Sequence, residues 1–227
     1  MSAAGSITAD ELELLKSFDT PTVCNAIELF DVRSDATGYM DARIQCCFPK
    51  LPPVVGYAAT ATYRSAAPVR IANASNVFVE QLRSFADVPS PAIVVIQDLD
   101  DPPRAATFGD VMCTTYKAFG VVGLIASGAG RDLDQIEALA FPVFASGTIS
   151  AHGYFQLMDV NVPVSVAGVT IYPGDLIHAD RNGATTIPLE IASDVGRACQ
   201  DIVDAESLVL DYVRNAVEPS VDEFAAI

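Results

Sequence analysis

Helical spacing of apolar residues marks the first thirty positions of the chain. Thr8 is followed by Glu11 three residues later, which forms a capping box and predicts a first helix ending near residue 18. In the next segment, TPTVCNAIELF, apolar residues recur at i, i+3, i+4 and i+7 from Val23. Thr20 is the predicted N-cap of this second helix, and Pro21 suits its first turn. The chain is therefore predicted to open with two short helices.

The middle third alternates between apolar runs and amphipathic segments. Extended character is predicted for VVGYAATATYRS, AIVVIQD and VVGLIA, whose continuous apolar runs are typical of strands buried on both faces. Helices are predicted over residues 69–85, 111–119 and about 132–140, with a loop over residues 99–110. Strands that alternate with helices in this order indicate a parallel sheet.

The final third begins with short apolar stretches separated by turn signals, and it ends in one long helical pattern. VNVPVSVAGVTIYPGDLIHADRNGATTIP carries Pro-Gly-Asp and Arg-Asn-Gly turns between alternating apolar residues, which predicts a β-rich layer. One long or broken helix is predicted over residues 189 to about 216. The fold class expected is α/β, with a central parallel-containing sheet, N-terminal helices and a C-terminal helix. Because no linker divides the sequence, a single domain over residues 1–227 is expected.

Composition narrows the classes of partner. The 227-residue chain has 13 basic and 29 acidic residues, a formal net charge of −16, which argues against nucleic acid as a partner. No apolar run reaches the roughly 20 residues that span a bilayer, and the first residues lack signal-peptide character, so a cytoplasmic protein without membrane contact is expected. The five cysteines include no Cys-x-x-Cys pair, which favours free thiols over disulfides or structural zinc.

One unusual cation stands where a buried strand is predicted to give way to a helix. In ASGAGRD, small residues precede Arg131 and Asp132, and such a junction favours anions because the backbone N–H groups are free. A guanidinium adds a fork that matches a carboxylate. The alternative is a surface ion pair of Arg131 with Asp132 or with an acidic loop. A dinucleotide-binding loop is excluded by spacing, since Leu133 stands where its third glycine belongs.

A second junction of this kind precedes the first. Gly109 and Asp110 in FGD also stand at the start of a predicted helix, and loops that follow parallel strands emerge at the same edge of a sheet. Asp110, Arg131 and Asp132 are therefore predicted to converge. Two carboxylates beside a guanidinium suggest an oxygen-liganded divalent ion, Mg²⁺ or Mn²⁺, next to a substrate that carries a carboxylate.

Gly109-Asp110 followed by Arg131-Asp132 resembles the signature of the class II pyruvate aldolases that cleave 4-hydroxy-4-methyl-2-oxoglutarate, and of the related regulators of ribonuclease activity A. FPVFASGT, VNVPVSVAGVTIYPGD and ADRNGATTIP extend the resemblance, as TPTVCNAIE does weakly, so it covers most of the chain. It implies a swivelling β/β/α fold assembled as a homotrimer or a dimer of trimers, with active sites between subunits.

The resemblance also implies roles for individual residues. Arg131 would bind the substrate carboxylate, Asp132 would hold the metal, and Asp110 would position a metal-bound or catalytic water. The pyruvyl group would lie against Gly109 and would receive hydrogen bonds from the main-chain N–H groups of the next two residues of the helix, Val111 and Met112. A neighbouring subunit would add an acidic residue from its C-terminal helix, for which the candidates are Asp204 and Glu206.

The sequence departs from the family pattern at one position. The family commonly has Asp-Gly where this chain has Ser127-Gly128. An acidic residue that often follows the Arg-Asp pair corresponds to Asp134 or is displaced by Gln135. These differences affect the surroundings of the metal and the choice of substrate.

The implied reaction is a metal-dependent cleavage of the carbon–carbon bond next to a pyruvyl unit, through a metal-stabilised pyruvate enolate. Retro-aldol cleavage needs a base for the substrate hydroxyl, for which a water polarised by Asp110 is the candidate, whereas oxaloacetate decarboxylation does not. A Schiff-base aldolase is the rival, with Lys117 as its nearest lysine, but a solvated helical lysine is favoured. His152 and His178 are predicted to be structural.

A non-catalytic protein is the alternative from another class. The regulators of ribonuclease activity A share the fold and act through protein contacts, for which an acidic surface is suitable. Asp110 distinguishes the two, because an aspartate at this position suits the lyases and other residues are common in the regulators.

Overall fold

The computed structural model describes residues 7–68 and 74–227, and for residues 74–76 the backbone alone. The helices are α1 (Ala9–Leu15), α2 (Thr20–Glu28), α3 (Ala74–Ser84), α4 (Asp110–Ala118), α5 (Leu133–Ala138), α6 (Ala192–Asn215) and α7 (Val221–Phe224). The strands are β1 (Gln45–Cys46), β2 (Val54–Arg64), β3 (Ala92–Asp98), β4 (Ala106–Phe108), β5 (Val121–Ala126), β6 (Ala129–Gly130), β7 (Val143–Ala145), β8 (Gln156–Val160), β9 (Val164–Val166), β10 (Val169–Ile171), β11 (Leu176–Asp180) and β12 (Gly183–Ile187).

The central sheet has a parallel middle and antiparallel edges. Its strand order is β1-β7-β5-β3-β2-β11-β12, and β8 pairs with β2 outside this path. The pairs β2–β3, β3–β5 and β5–β7 are parallel, while β1, β8, β11 and β12 join antiparallel. The predicted parallel-containing α/β sheet is confirmed.

Both faces of the parallel strands are buried, which explains their continuous apolar runs. In β3, Val94 and Ile96 face the cluster that includes α4 and α5, while Ile93 and Val95 face the opposite cluster. The second cluster is covered by the two-stranded β9–β10 hairpin, whose apolar residues include Val166 and Ile171. A hairpin layer, a central sheet and a helical layer give the β/β/α arrangement that the family resemblance implied.

The first two helices pack with α6 against the sheet, and a buried histidine ties α1 and α2 to β11. His178 is fully buried, with Nδ1 2.9 Å from the Thr20 hydroxyl and Nε2 3.1 Å from the Leu15 carbonyl oxygen. The carboxylate of Asp180 accepts the main-chain N–H of Thr20 at 3.2 Å. The prediction that His178 is structural is confirmed, because both ring nitrogens are satisfied inside the core.

Several boundaries differ from the prediction. The N-cap of α2 is Asp19, not Thr20: the Asp19 side chain accepts the N–H of Thr22, and Thr20 is the first helical residue. The capping box of Thr8 and Glu11 is present as predicted. The third predicted helix is described only from Ala74, and its first part, residues 69–73, lies outside the described residues. No helix in the described ranges is long and apolar enough to cross a membrane.

The region predicted as a loop over residues 99–110 contains a strand, which is the main error of the sequence interpretation. Three residues, Ala106–Phe108, form β4 and pair in parallel with β6. All three are buried, yet a run this short gives no detectable period-2 pattern, because strands are recognised over four to eight residues or so.

Candidate active site

The pairing of β4 with β6 brings the two glycine-containing motifs together. Ala106 is opposite Ala129 and Phe108 is opposite Gly130, so the residues that follow both strands leave the pair side by side. The N–H of Arg131 donates to the Phe108 carbonyl at 3.2 Å and closes the end of the pair. Gly130 is needed here because a Cβ atom would lie 2.3 Å from Cζ of the Phe108 ring. Both motifs are thus held at one edge by backbone contacts.

Asp110 and Asp132 meet directly across this junction. The main-chain N–H of Asp110, the first residue of α4, donates to Oδ2 of Asp132 at 3.4 Å. Gly109 permits the approach, since a Cβ atom at this position would lie 2.6 Å from the same oxygen. The convergence expected from the sequence is observed in these contacts.

Arg131 and Asp132 form an ion pair, with 3.4 Å between Nε and Oδ2, and their side chains are 34% and 31% exposed. The pair expected from the surface interpretation therefore exists, and it lies beside a cavity. Asp132 has a left-handed backbone conformation, φ 57° and ψ 37°, and its side chain does not cap α5. A non-glycine residue in this region is uncommon, and such residues concentrate at functional sites.

A cavity of about 240 Å³ opens next to the ion pair. Its wall combines the end of β4 and the start of α4 with one cation and two aromatic rings. The lining residues are Ala106, Thr107, Phe108, Gly109, Asp110, Val111, Met112, Arg131, His152 and Phe155. All the predicted substrate-binding residues line it. Asp132 is not among these lining residues, but its carboxylate contacts two of them, the guanidinium of Arg131 and the main-chain N–H of Asp110.

The Asp110 side chain is oriented by its own helix. Its Oδ1 atom accepts the N–H of Val111 at 2.8 Å, while Val111 itself is 72% exposed. One of the two main-chain donors predicted for the pyruvyl group is therefore engaged by Asp110. A ligand oxygen would have to share or replace this bond.

His152 lines the cavity, although the sequence did not connect it with the two motifs. It was predicted to be structural, yet its side chain is exposed and lines the cavity beside Arg131 and Phe155. The segment AHGYF lies far in sequence from both motifs and has no signal that would connect it to them. A tertiary contact brings His152 there: the N–H of Ala106 in β4 donates to the Ala151 carbonyl at 2.7 Å.

Other predicted residues lie away from this cavity. Asp204 and Glu206 are exposed on α6, and Asp204 accepts a hydrogen bond from Gln200 at 2.8 Å. Lys117 donates to the Leu139 carbonyl, and no lysine is among the described residues that line the cavity. Asp134 is exposed in α5.

Ser127 lines a different cavity, of about 400 Å³, beyond the carboxyl ends of β3 and β5. Its hydroxyl oxygen accepts the N–H of Asp98 at 2.8 Å. Burial raises the pKa of the Asp98 carboxyl, which also accepts the Thr107 hydroxyl at 3.0 Å. The position at which the chain departs from the family pattern is therefore separated from the Arg131 cavity by Thr107.

Asp110 and Asp132 are the candidate oxygen donors for a metal ion at this junction. In the described residues, no group of three or more histidine, cysteine or acidic side chains is arranged to hold a metal ion. Mg²⁺ commonly takes only one or two protein carboxylates and completes its coordination with water and substrate oxygens. The donor set of Asp132, with Asp110 next to it, fits such an ion.

Comparison with known proteins identifies the family. The family profile described as RraA-like, Aldolase/RraA, matches residues 20–186, and the chain belongs to this family. A relative in Halalkalibacterium halodurans named putative 4-hydroxy-4-methyl-2-oxoglutarate aldolase is 37% identical over 121 residues, 53% of this chain and 56% of that protein. One of the same name from Xanthomonas campestris pv. campestris (strain 8004) is 34% identical over 117 residues, 49% of this chain and 70% of that protein. The chain thus spans 56% of the length of the first of these relatives.

A solved structure supports the fold. Streptomyces coelicolor RraAS2, described as an unusual member of the RNase ES inhibitor RraA protein family, superimposes with a TM-score of 0.71. The match covers 88% of this chain and 96% of that one at 21% sequence identity. The predicted relationship to the aldolases and ribonuclease regulators is confirmed at the level of family and fold.

Proposed function

We propose that this protein is a divalent-metal-dependent lyase that cleaves the carbon–carbon bond next to a pyruvyl unit. The substrates would be 2-oxo acids of the 4-hydroxy-4-methyl-2-oxoglutarate type, oxaloacetate, or both. The observation that carries the proposal is the contact of Asp110 N–H with the Asp132 carboxylate, which also pairs with Arg131; Asp110 and Arg131 line the cavity of about 240 Å³. The names of the relatives support the same reaction class.

Arg131 is the proposed anchor for the substrate carboxylate. Its guanidinium uses Nε for Asp132 and, among the described residues, makes no other hydrogen bond or ion pair that would occupy the two terminal nitrogens. Terminal nitrogens of arginine offer parallel donors that match a carboxylate. Phe108 and Phe155 give the cavity apolar walls, which exclude water from the reacting carbons.

The metal would be Mg²⁺ or Mn²⁺, held by Asp132 on the side of Asp110. Carboxylate and water ligands suit these hard cations. When bound, such an ion supplies positive charge that polarises the 2-oxo group of the substrate. The ion pair with Arg131 and the bond from Asp110 N–H fix the Asp132 carboxylate in place for this role.

Asp110 is the proposed proton-handling residue common to both reactions. Its Oδ1 is fixed by Val111 N–H, which leaves Oδ2 to hold a water at the cavity wall. That water would give a proton to C3 of the enolate, the step that completes pyruvate whether the group lost is CO₂ or a carbonyl compound. Loss of the Asp110 carboxylate should therefore impair both activities.

A homotrimer or a dimer of trimers is part of the proposal, with small 2-oxo acids as the ligands. Its support is the second half of α6, where apolar side chains stay exposed, among them Leu208 at 63% and Val213 at 49%. Such residues are typical of a surface that another chain covers. Asp204 and Glu206 lie in the same half of the helix and are the candidates to reach a neighbouring site.

The test is a coupled assay of pyruvate formation from oxaloacetate and from 4-hydroxy-4-methyl-2-oxoglutarate, with Mg²⁺ or Mn²⁺ present. We expect turnover that EDTA abolishes and either metal restores.

Asp132→Asn, in which asparagine tolerates the left-handed backbone equally well, should lose both turnover and metal binding measured by calorimetry. Glu137→Gln, which changes an exposed carboxylate in the following helix, is the matched control and should behave as wild type. Absence of turnover on both substrates with both metals would refute the proposal.

A regulator that acts through protein contacts is the second candidate, favoured by the net charge of −16 and the fold shared with RraAS2. It predicts no pyruvate release and inhibition of an RNase E-type ribonuclease by the purified chain. Arg131→Ala would leave such inhibition unchanged, because protein contacts of this kind do not need the cavity.

A further inference from the structure

The backbone around His152 is fixed, so that its imidazole is presented at the cavity in a defined way. Ala106 N–H donates to the Ala151 carbonyl at 2.7 Å, and the fully buried Tyr63 directs its hydroxyl to the His152 carbonyl at 3.4 Å. The same hydroxyl donates to the Ala106 carbonyl at 3.0 Å. These hydrogen bonds fix the backbone of residues 151 and 152 to β4, the strand that ends at the cavity.

The hydrogen bonding of the ring defines which nitrogen can accept a proton. Nδ1 of His152 lies 2.8 Å from the Gly153 carbonyl oxygen. A carbonyl oxygen only accepts, so Nδ1 carries the hydrogen and, in the neutral ring, Nε2 carries the lone pair. Within the described part of the chain, Nε2 makes no hydrogen bond, and the side chain is exposed. This is the tautomer that a base requires.

The position of the ring in the cavity matches the part of the substrate beyond the pyruvyl unit. If Arg131, Asp132 and the start of α4 hold that unit, the remaining side chains for the other half are mainly Phe108, Phe155 and His152. Thr107, the other polar residue there, is fully buried and donates its hydroxyl to Asp98. Among these side chains, His152 is therefore the one that can act as a base on the part of the substrate beyond the pyruvyl unit.

We propose that Nε2 of His152 takes the proton of the substrate's C4 hydroxyl in the retro-aldol direction, an inference that rests on the proposed lyase function. The O–H electron pair forms the new C4 carbonyl as the C3–C4 bond breaks. The C3–C4 pair becomes the C2–C3 double bond of the enolate, whose negative charge lies on the 2-oxo oxygen. C3 then takes a proton from the water held by Asp110, and Nε2 releases its proton to solvent. Oxaloacetate in its keto form has no C4 hydroxyl, so its decarboxylation bypasses His152.

The experiment compares both reactions in the purified full-length protein with Mn²⁺. His152→Asn keeps a donor near the Nδ1 position for the Gly153 carbonyl and removes Nε2. We expect kcat for 4-hydroxy-4-methyl-2-oxoglutarate to fall about 100-fold or more, the usual contribution of a general base. The rate of oxaloacetate decarboxylation should stay within about twofold, which also reports that the variant is folded.

Two controls separate a chemical role from a structural one. Tyr154→Phe changes an exposed neighbour that does not line the cavity, and it should alter neither reaction. Oxalate, which has the shape of the pyruvate enolate, should bind the wild type and His152→Asn with equal affinity by calorimetry, because neither C4 nor its hydroxyl is present in it.

The outcomes are distinct. Retention of aldol cleavage by His152→Asn, or an equal loss of both reactions, would overturn the role of His152 while the lyase proposal stands. A wild-type protein that decarboxylates oxaloacetate but cleaves no 4-hydroxy-2-oxo acid would also overturn it. A wild type inactive on both substrates would overturn the lyase proposal, and the role of His152 with it.

Discussion

The two histidines of the chain occupy opposite environments. His178 is fully buried, and both of its ring nitrogens are paired, with the Thr20 hydroxyl and the Leu15 carbonyl. His152 is exposed at the cavity and uses only Nδ1, for the carbonyl of the next residue. One ring joins helices to a strand, and the other offers a nitrogen to a ligand.

The same contrast holds for the regions around them. In the polar cluster of His178, Thr20 and Asp180, each buried side chain makes a hydrogen bond. At the cavity, Asp132 has a left-handed backbone and Arg131 has terminal nitrogens to spare. Buried polar groups whose hydrogen bonds are all made stabilise a fold. Partly exposed groups with unused hydrogen-bond donors, next to a strained backbone, are typical of functional sites. Residue type alone does not distinguish the two histidines.

Arg131→Ala should have the largest effect, and this effect should be on catalytic activity and hardly on stability. Two charge-assisted hydrogen bonds to a carboxylate, at about 2 kcal/mol each, correspond to a loss of about 1,000-fold in kcat/KM. The free energy of unfolding should change by about 1 kcal/mol or less, since a single ion pair that solvent reaches contributes little. Steady-state kinetics and urea unfolding measure the two quantities. Arg181→Ala, an exposed arginine in the β11–β12 turn, is the control, and equal activity of the two variants would contradict the assignment.

His178→Ala should have the opposite profile. It removes the partners of the Leu15 carbonyl and the Thr20 hydroxyl and leaves a cavity, so we expect a loss of about 3 kcal/mol in the free energy of unfolding. Turnover per folded molecule should be unchanged at low temperature. His178→Gln, which can still donate to Leu15, should lose less. A stability change below about 1 kcal/mol in the alanine variant would show that the cluster is not the tie between helices and sheet.

The pH dependence of stability gives the smallest effect. Burial lowers the pKa of His178, although the hydrogen bond to Leu15 and the nearby Asp180 act in the other direction. The unfolded chain therefore binds this proton more readily than the folded one, and stability is lost as pH falls from above 6.5 through the lowered pKa. The slope from this group is at most about 1.4 kcal/mol per pH unit. Urea unfolding at pH 7 and pH 5 should show a smaller decrease in the free energy of unfolding for His178→Gln than for wild type.

Much of the fold could be predicted because its signals are local or periodic. The capping box at Thr8, the apolar runs of β3 and β5, and the turns of the β-rich third all depend on neighbours in sequence. The strand β4 could not be found, because three residues give no period and its pairing with β6 is a contact between distant segments. The same limit hid His152, whose position depends on a backbone bond between residues 106 and 151.

The sequence by itself determined the layers of the fold and the residues Asp110, Arg131 and Asp132, since helix period, strand burial and the Gly-Asp and Arg-Asp motifs are legible along the chain. The tertiary structure alone decided how these residues meet. Glycine at position 109 leaves room for the Asp132 carboxylate, and glycine at position 130 leaves room for the Phe108 ring, where a Cβ atom would clash. Whether a histidine is buried or exposed, and which of its nitrogens stays available, depends on partners more than a hundred residues away for His178 and on the anchoring of its loop for His152.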